Sequence, residues 1–443
     1  MTDTKGENKT SFLAELLNKS KFGADEPGFL QKVRKTGAER TLSLPFPTSK
    51  VEEWRQISLK PLERGEFFQA ERTAVNESEI SDFLFNESSQ SRIVLSNGRV
   101  QDSLTNVSGL VGDCFAGTFA DMPDKYRKNV EKRFNSVAQY GDDPFVPFNT
   151  ATFGDVIFVY VPKNIQEKAP LHIMHVTKGD ATYTSPRVFI FAERHSDITV
   201  IEDFIGFDES TYFNTAVSET VLEDEAHVTH VKLQRESTNA IHISRIASHL
   251  GRGSNYNSYT ISIGAKLFRN EPLALVDDEN AHATLDGLVM LRGDQVADTH
   301  SILDHLKPNC TSHQLHKVIA HDTAKSVFNG KIFVRKDSQQ IDAFQENRNL
   351  LLSADATVFT KPQLEIFADD VKCSHGATIG QLSQDELFYL MSRGLSQAQS
   401  TQMLTYGFAL EVIDNLPVES LRDQLAVEVE RFANSVSAQK ATV

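Results

Sequence analysis

Cys373 and His375 are the residues of this chain best placed, by type and spacing, to hold a soft or borderline metal. They sit in the segment Leu364 to Leu395, LEIFADDVKCSHGATIGQLSQDELFYLMSRGL. In an extended strand, residues two apart leave the same face, so both side chains project together and Ser374 projects the other way. A thiolate beside an imidazole suits iron in sulfur clusters. Gly376 follows at once and lets the backbone turn or be approached closely. The competing reading is packing: free cysteine is among the most buried residue types, and a lone Cys-x-His pair is weak evidence for a site.

A second constellation competes with the first. His300, His305, His313, His316 and His321 crowd into one tract that also contains Cys310. In a strand His313 and His316 face opposite ways and make no chelating pair. These histidines are expected on the surface or in hydrogen bonds between neighbouring strands, and the tract's role stays open. The chain has no G-x-x-x-x-G-K-[ST] loop, no G-x-S-x-G elbow and no H-E-x-x-H helix. Gly251-Arg252-Gly253 and the acidic run Glu223-Asp224-Glu225 read as turns. No active site is expected, and any dependence on ATP must come from a partner.

The elements that must carry Cys373 and His375 follow from periodicity. Residues 1–150 are mixed and partly helical: Phe12, Leu13, Leu16 and Leu17 have helical spacing, as do Phe29, Leu30 and Val33. Asn97-Gly98 between Arg92-Ile93-Val94-Leu95-Ser96 and Arg99-Val100 predicts a hairpin with a type I′ turn. A polar helix is expected from Pro123 to Tyr140. From about 151 onward the chain is rich in short β-branched and aromatic runs. Strand starts recur at Ser196, Ala226, Ser254 and Ala281, at intervals of 30, 28 and 27 residues, with similar starts at Ala324 and Ala356. A fixed period of this size in a helix-poor region predicts a solenoid whose coils bury a face only by stacking. We therefore expect a parallel β-helix core over 151–380, right-handed by the bias of parallel crossovers. A β-sandwich is the rival, and it needs more hairpin turns than the sequence offers.

The remaining residues, 381–443, predict a C-terminal helical domain. Ser383 with Glu386 forms a capping box ahead of Leu387, Leu390 and Met391, and Gly394 ends that helix. Ser396 with Gln399 opens a second, carrying Met403, Leu404 and Phe408. After Pro417 a third places Leu421, Leu425, Val429, Phe432 and Val436 on one stripe. Such stripes ordinarily pack internally.

Composition bounds the function further. A formal net charge of −15 over 443 residues argues against a nucleic-acid or anionic-membrane surface. The apolar runs are short and broken by charges, and none spans a bilayer. Three cysteines are too few for a disulfide framework. With no apolar signal-like stretch at the N-terminus, a cytoplasmic setting is expected.

Lys361 to Gly380, KPQLEIFADDVKCSHGATIG, resembles the C-terminal signature of the SufB/SufD family of iron–sulfur cluster assembly proteins, in its SufD form. The likeness extends through Asp385 to Leu390 and Ser392 to Leu395. It extends upstream to Ser326 to Ile332, Asn347 to Leu352 and Asp304-His305 with Pro308, Cys310, Ser312 and Gln314. Lys50-x-Glu52-x-Trp54 is similar to the family's basic-x-Glu-x-Trp element, where Arg is commoner at the first position. Residues 1–40 and about 70–140 carry little that matches. The resemblance implies a right-handed β-helix and a non-catalytic scaffold that pairs with a SufB-like paralogue and binds the SufC ATPase, an ABC-type partner, through its helical tail. Leu387, Leu390, Met391, Met403, Leu404 and Phe408 are then the candidate anchors. It implies a transient iron–sulfur cluster shared with the paralogue, with His375 the first ligand candidate and Cys373 the second. A SufB-like cluster holder and a stand-alone β-helix enzyme are the alternatives. A homodimer of the isolated chain stays open.

Overall fold

The computed structural model describes residues 11–21, 26–207 and 209–440. Its core is a parallel β-solenoid of about eight coils, each contributing one strand to each of two facing sheets. The first sheet runs from Val156–Val161 through Val296–His305 and Lys325–Val334 to Thr357–Ile366. The second runs from Leu171–Thr177 through Thr311–Ala320 and Ile341–Leu351 to Val371–Gly380. Neighbouring coils pair in parallel, which removes the sandwich alternative. The repeats at Ser196, Ala226, Ser254 and Ala281 each open a strand of the second sheet, whereas those at Ala324 and Ala356 open strands of the first.

The corner between the sheets explains the period. A residue with positive φ stands ahead of successive second-sheet strands: His195, Glu225, Gly253, Asn280, Asn309 and Gln340. The turn N–H then reaches the carbonyl of the next coil, Glu225 to Arg252 at 2.7 Å and Gly253 to Glu279 at 2.9 Å. Both turn readings of the acidic run and of Gly251-Arg252-Gly253 hold. Only Gly253 adopts this conformation without Cβ strain. His195, Glu225, Asn309 and Gln340 are held by the coil-to-coil bond, and Asn is the residue type best suited among the non-glycine corners.

Strict register stacks like on like inside the coils. One inward column of the second sheet reads Ile198, Val228, Tyr256, Ala283, Ser312, Ala343, Cys373. It belongs to the apolar core. Two residues along, the column turns polar at the last coils, where it holds Gln314, Gln345 and His375 in register. Nearer the first coils this half of the lumen is ionic. Glu202 bridges His230 at 2.8 Å and His175 at 3.3 Å, all three buried. Hydrogen bonds from the two imidazoles outweigh desolvation and hold the Glu202 carboxyl well below the usual range.

The N-terminal region closes the other end. Arg92–Ser96 pairs in parallel with Leu171–Thr177 and folds back on Arg99–Val100 through Asn97 and Gly98, both with positive φ, as the hairpin signal predicts. Helices Phe12–Lys19 and Gly28–Ser43 cover the first sheet's outer face. The helix expected from Pro123 to Tyr140 stops at Arg133. Asn135 turns to positive φ, and the N–H groups of Asn135, Val137 and Ala138 donate to the buried Glu219 carboxylate at 2.9, 3.0 and 2.9 Å. A carboxylate satisfied by three amides and by Arg187 outcompetes another helical turn. At the C-terminus, Gln397–Ile413 and Glu419–Lys440 pack on the outer face of the second sheet, where Leu421, Leu425, Val429 and Phe432 bury against Leu233, Ile261, Leu315 and Ile319. The side chain of Val436 lies outside the described residues.

Lys232 is the costly member of the lumen. It is buried, donates to neutral Asn270 at 2.7 Å, and burial pushes its pKa down to about 7. Asn270 keeps a second donor in Ser244 at 2.7 Å. Lys232→Met is expected to raise stability by about 1–2 kcal/mol near neutral pH, because an isosteric apolar group removes a desolvated cation. The folded pKa lies below the unfolded one, so the unfolded chain binds more protons between about pH 7 and 10 and wild-type stability rises over that window. The variant's advantage therefore shrinks from about pH 7 to about pH 9. Urea melts at the two pH values check both the gain and its slope.

Candidate functional site

Cys373 and His375 lie on Val371–Gly380, the last strand of the second sheet. This strand pairs only with Ile341–Leu351, and Thr357–Ile366 ends the first sheet in the same way. The far edges of both strands are unpaired among the described residues. An unpaired edge is a template for another chain unless it is guarded. Around it lie exposed apolar side chains, Phe367 at 59% and Ile379 at 50%. A Cβ built on Gly376 or Gly380 would meet nothing within 4 Å. The solenoid is open here.

Both candidates share the inward-facing side, as their spacing predicts, but their columns differ. Cys373 continues the apolar column and packs half-buried against the core. Burial, with Asp342 beside it, pushes its thiol pKa up. His375 continues the polar column and is exposed, because there is no further coil to cover it. Among the described residues no three His, Cys, Asp or Glu side chains gather to hold a metal ion. Of the two, His375 offers an accessible imidazole, whereas burial disfavours the metal-binding thiolate form of Cys373.

The histidine-rich tract is dispersed along the coils. His300 bonds Asp298 at 2.9 Å, His313 lies 3.3 Å from Asp286, and His321 pairs with Asp322 at 2.9 Å. His305 meets Ser312 at 3.0 Å, and His316 packs on Phe328. Burial pushes the pKa of both His305 and His316 down to about 4. The Cys310 thiol is buried and donates to backbone carbonyls of Asp278 and Pro308. These are rung residues.

In the tail, Gln384–Ser392 begins at Ser383, whose hydroxyl accepts from Glu386 N–H at 3.3 Å, and it ends before Gly394 at φ 97°. Leu387 is 8% exposed and holds this helix down, so it is not a free anchor. Leu390 and Leu404 are half-buried. Phe408 packs toward the solenoid flank, its carbonyl accepting from Lys317 at 2.8 Å. Met391 and Met403 are exposed. The sequence reading missed Phe388 and Tyr389, exposed at 74% and 57%. Their signal was available: two adjacent aromatics cannot both follow Leu387 and Leu390 onto one buried stripe.

Comparison with known proteins fits this geometry. The family model for the SUF system FeS cluster assembly SufBD core domain matches residues 175–408, and that for the SufBD protein N-terminal region matches 16–173. The chain belongs to the SufB/SufD family of iron–sulfur cluster assembly proteins. It is 33% identical over 423 residues to an iron–sulfur cluster assembly SufBD family protein of Synechocystis sp., covering 93% of both chains. It is 30% identical to the iron–sulfur cluster assembly protein SufD of Escherichia coli, covering 90% of both. It is 32% identical to the chloroplastic protein ABCI7 of Arabidopsis thaliana, over 93% of this chain and 88% of that one. Residues 16–40 and 70–140, which motif reading could not place, thus fall within the family's N-terminal region. Glu52 and Trp54 of the Lys50-x-Glu52-x-Trp54 element lie on the outer face of the first sheet, over its later coils. Glu52 pairs with Lys361 of the last strand, and the Arg269 guanidinium stacks on Trp54 at 3.9 Å.

A buried, neutral thiol reacts slowly with alkylating agents. Iodoacetamide is expected to modify Cys373 several-fold more slowly than free cysteine at mildly alkaline pH, read by mass spectrometry of the peptide. Alkylation at the rate of free cysteine would show a thiolate at the open end.

Proposed function

We propose that this chain is a non-catalytic, cytoplasmic scaffold subunit of the Suf iron–sulfur assembly system. It pairs at its open solenoid end with a SufB-like paralogue and engages a SufC-like ATPase through its tail. The observation that carries this reading is an unpaired coil end bearing His375 with an incomplete ligand set. A second solenoid docked there would satisfy the edge N–H and C=O groups, cover Phe367 and Ile379, and bring further donors to His375. The cluster is cargo, held briefly between subunits. Imidazole is a competent iron ligand beside thiolates. Cys373 serves chiefly to finish the apolar column.

His375→Ala is expected to lower the iron and sulfide recovered with the reconstituted complex by roughly tenfold, a scale at which even outer-shell partners act. The subunits should remain associated. Cys373→Ser should cost far less cluster. Unchanged cluster content in His375→Ala would remove the histidine as a ligand.

The ATPase surface is assigned to the exposed aromatic and methionine patch Phe388, Tyr389, Met391 and Met403. Aromatic anchors of this kind cost about 2 kcal/mol or more when truncated at a hot spot. Phe388→Ser with Met403→Ser should weaken ATPase binding in calorimetry without lowering the melting temperature. Deleting everything after Gly380 is a poor test. It would strip Gln397–Ile413 and Glu419–Lys440 from the second sheet and expose its outer face. Full affinity in the double variant would move the docking surface elsewhere.

A further inference from the structure

The polar column under His375 changes character at the last coils. Gln314 is fully buried, and its amide oxygen accepts from the Ser301 hydroxyl across the lumen at 2.7 Å. One coil later Gln345 occupies the aligned position, but the residue aligned with Ser301 is Gly330. The hydroxyl is gone. Gln345 is also fully buried, and neither its amide oxygen nor its amide nitrogen has a partner. A Cβ on Gly330 would come within 2.4 Å of that nitrogen, so the glycine is what makes room for the amide. A buried amide left wholly unpaired is costly, and such groups ordinarily have a partner. The next residue in register is His375.

We infer that Gln345 is a positioning residue for His375. With the amide nitrogen turned toward Gly330, the oxygen is the atom left for an imidazole N–H. Aligned residues of adjacent parallel strands lie about 4.8 Å apart, within reach of both side chains. Accepting one imidazole N–H fixes the tautomer and leaves the other ring nitrogen's lone pair for iron, as outer-shell acceptors do for metal-bound histidines. The inference rests on His375 being a cluster ligand, and it adds how that ligand is oriented.

The test uses the full chain labelled with 15N-histidine at mildly alkaline pH, where imidazole is neutral. The His375 signals are assigned by their loss in His375→Ala. Wild type should show one dominant tautomer. Gln345→Leu should move the His375 nitrogen shifts toward those of free imidazole, whereas Gln345→Glu, which keeps an acceptor, should retain the tautomer. In the reconstituted complex, cluster content should fall with Gln345→Leu and recover with Gln345→Glu. Gln345→Met replaces the leucine variant if the latter melts early. His375 shifts unchanged in the apolar variant would overturn the inference. A tautomer that responds while His375→Ala leaves cluster content intact would uphold the contact and sink the ligand reading instead.

Discussion

The structure depends on one constraint: each coil buries its inward face only against the next coil in strict register. Parallel pairing fixes that register, and the corner N–H groups that reach across coils reinforce it. A solenoid built this way has no intrinsic end. Its first coil is finished by Arg92–Ser96 and the N-terminal helices. At the last coil the strand Val371–Gly380 keeps a free edge and an open face among the described residues. The most telling feature of the molecule is where the stacking rule is left unfulfilled.

Register also separates the two candidate ligands. Spacing alone puts Cys373 and His375 on one face and cannot rank them. Their columns can. Six coils of Ile198, Val228, Tyr256, Ala283, Ser312 and Ala343 prepare a mostly apolar seat for the thiol. Gln314 and Gln345 lead to the imidazole along a polar track. Burial disfavours the thiolate, which is the form that binds metal, while the histidine stays accessible. Position in the stack sets the chemistry of each side chain.

Much of this was legible in the sequence because local rules governed it. The strand carrying the Cys-x-His pair, the Asn97-Gly98 turn and the caps at Ser383, Ser396 and Gly394 each rest on residues within a few positions of one another, and the roughly 28-residue period shows as the recurrence of one local strand-start pattern. The misses were set by distant partners. The end of the helix at Arg133 is decided by Glu219, far along the chain. Arg92–Ser96 enters the second sheet by pairing with a strand about eighty residues later. Helical spacing alone says that Phe388 and Tyr389 cannot both join Leu387 on one buried stripe, but which residue faces the protein depends on where Gln384–Ser392 is seated. The orphaned amide of Gln345 needs the register of two sheets before the missing hydroxyl at Gly330 can be noticed.

The tail is not a loose appendage to the core. Glu411, on the same helix as Met403, pairs with Arg348 at 2.9 Å and with Lys317, which also donates to the Phe408 carbonyl at 2.8 Å. Arg348 is three residues from Gln345 on one strand, and that strand pairs with the one bearing His375. Contacts thus run without a break from the exposed patch of the tail to the open coil. Such continuity is what mechanical coupling requires, though coupling itself also needs an element with two arrangements. The closely packed inner coils offer little room for one. The terminal coil, paired on one side and open on the other among the described residues, has fewer bonds to break than an inner coil and is where a second arrangement would cost least.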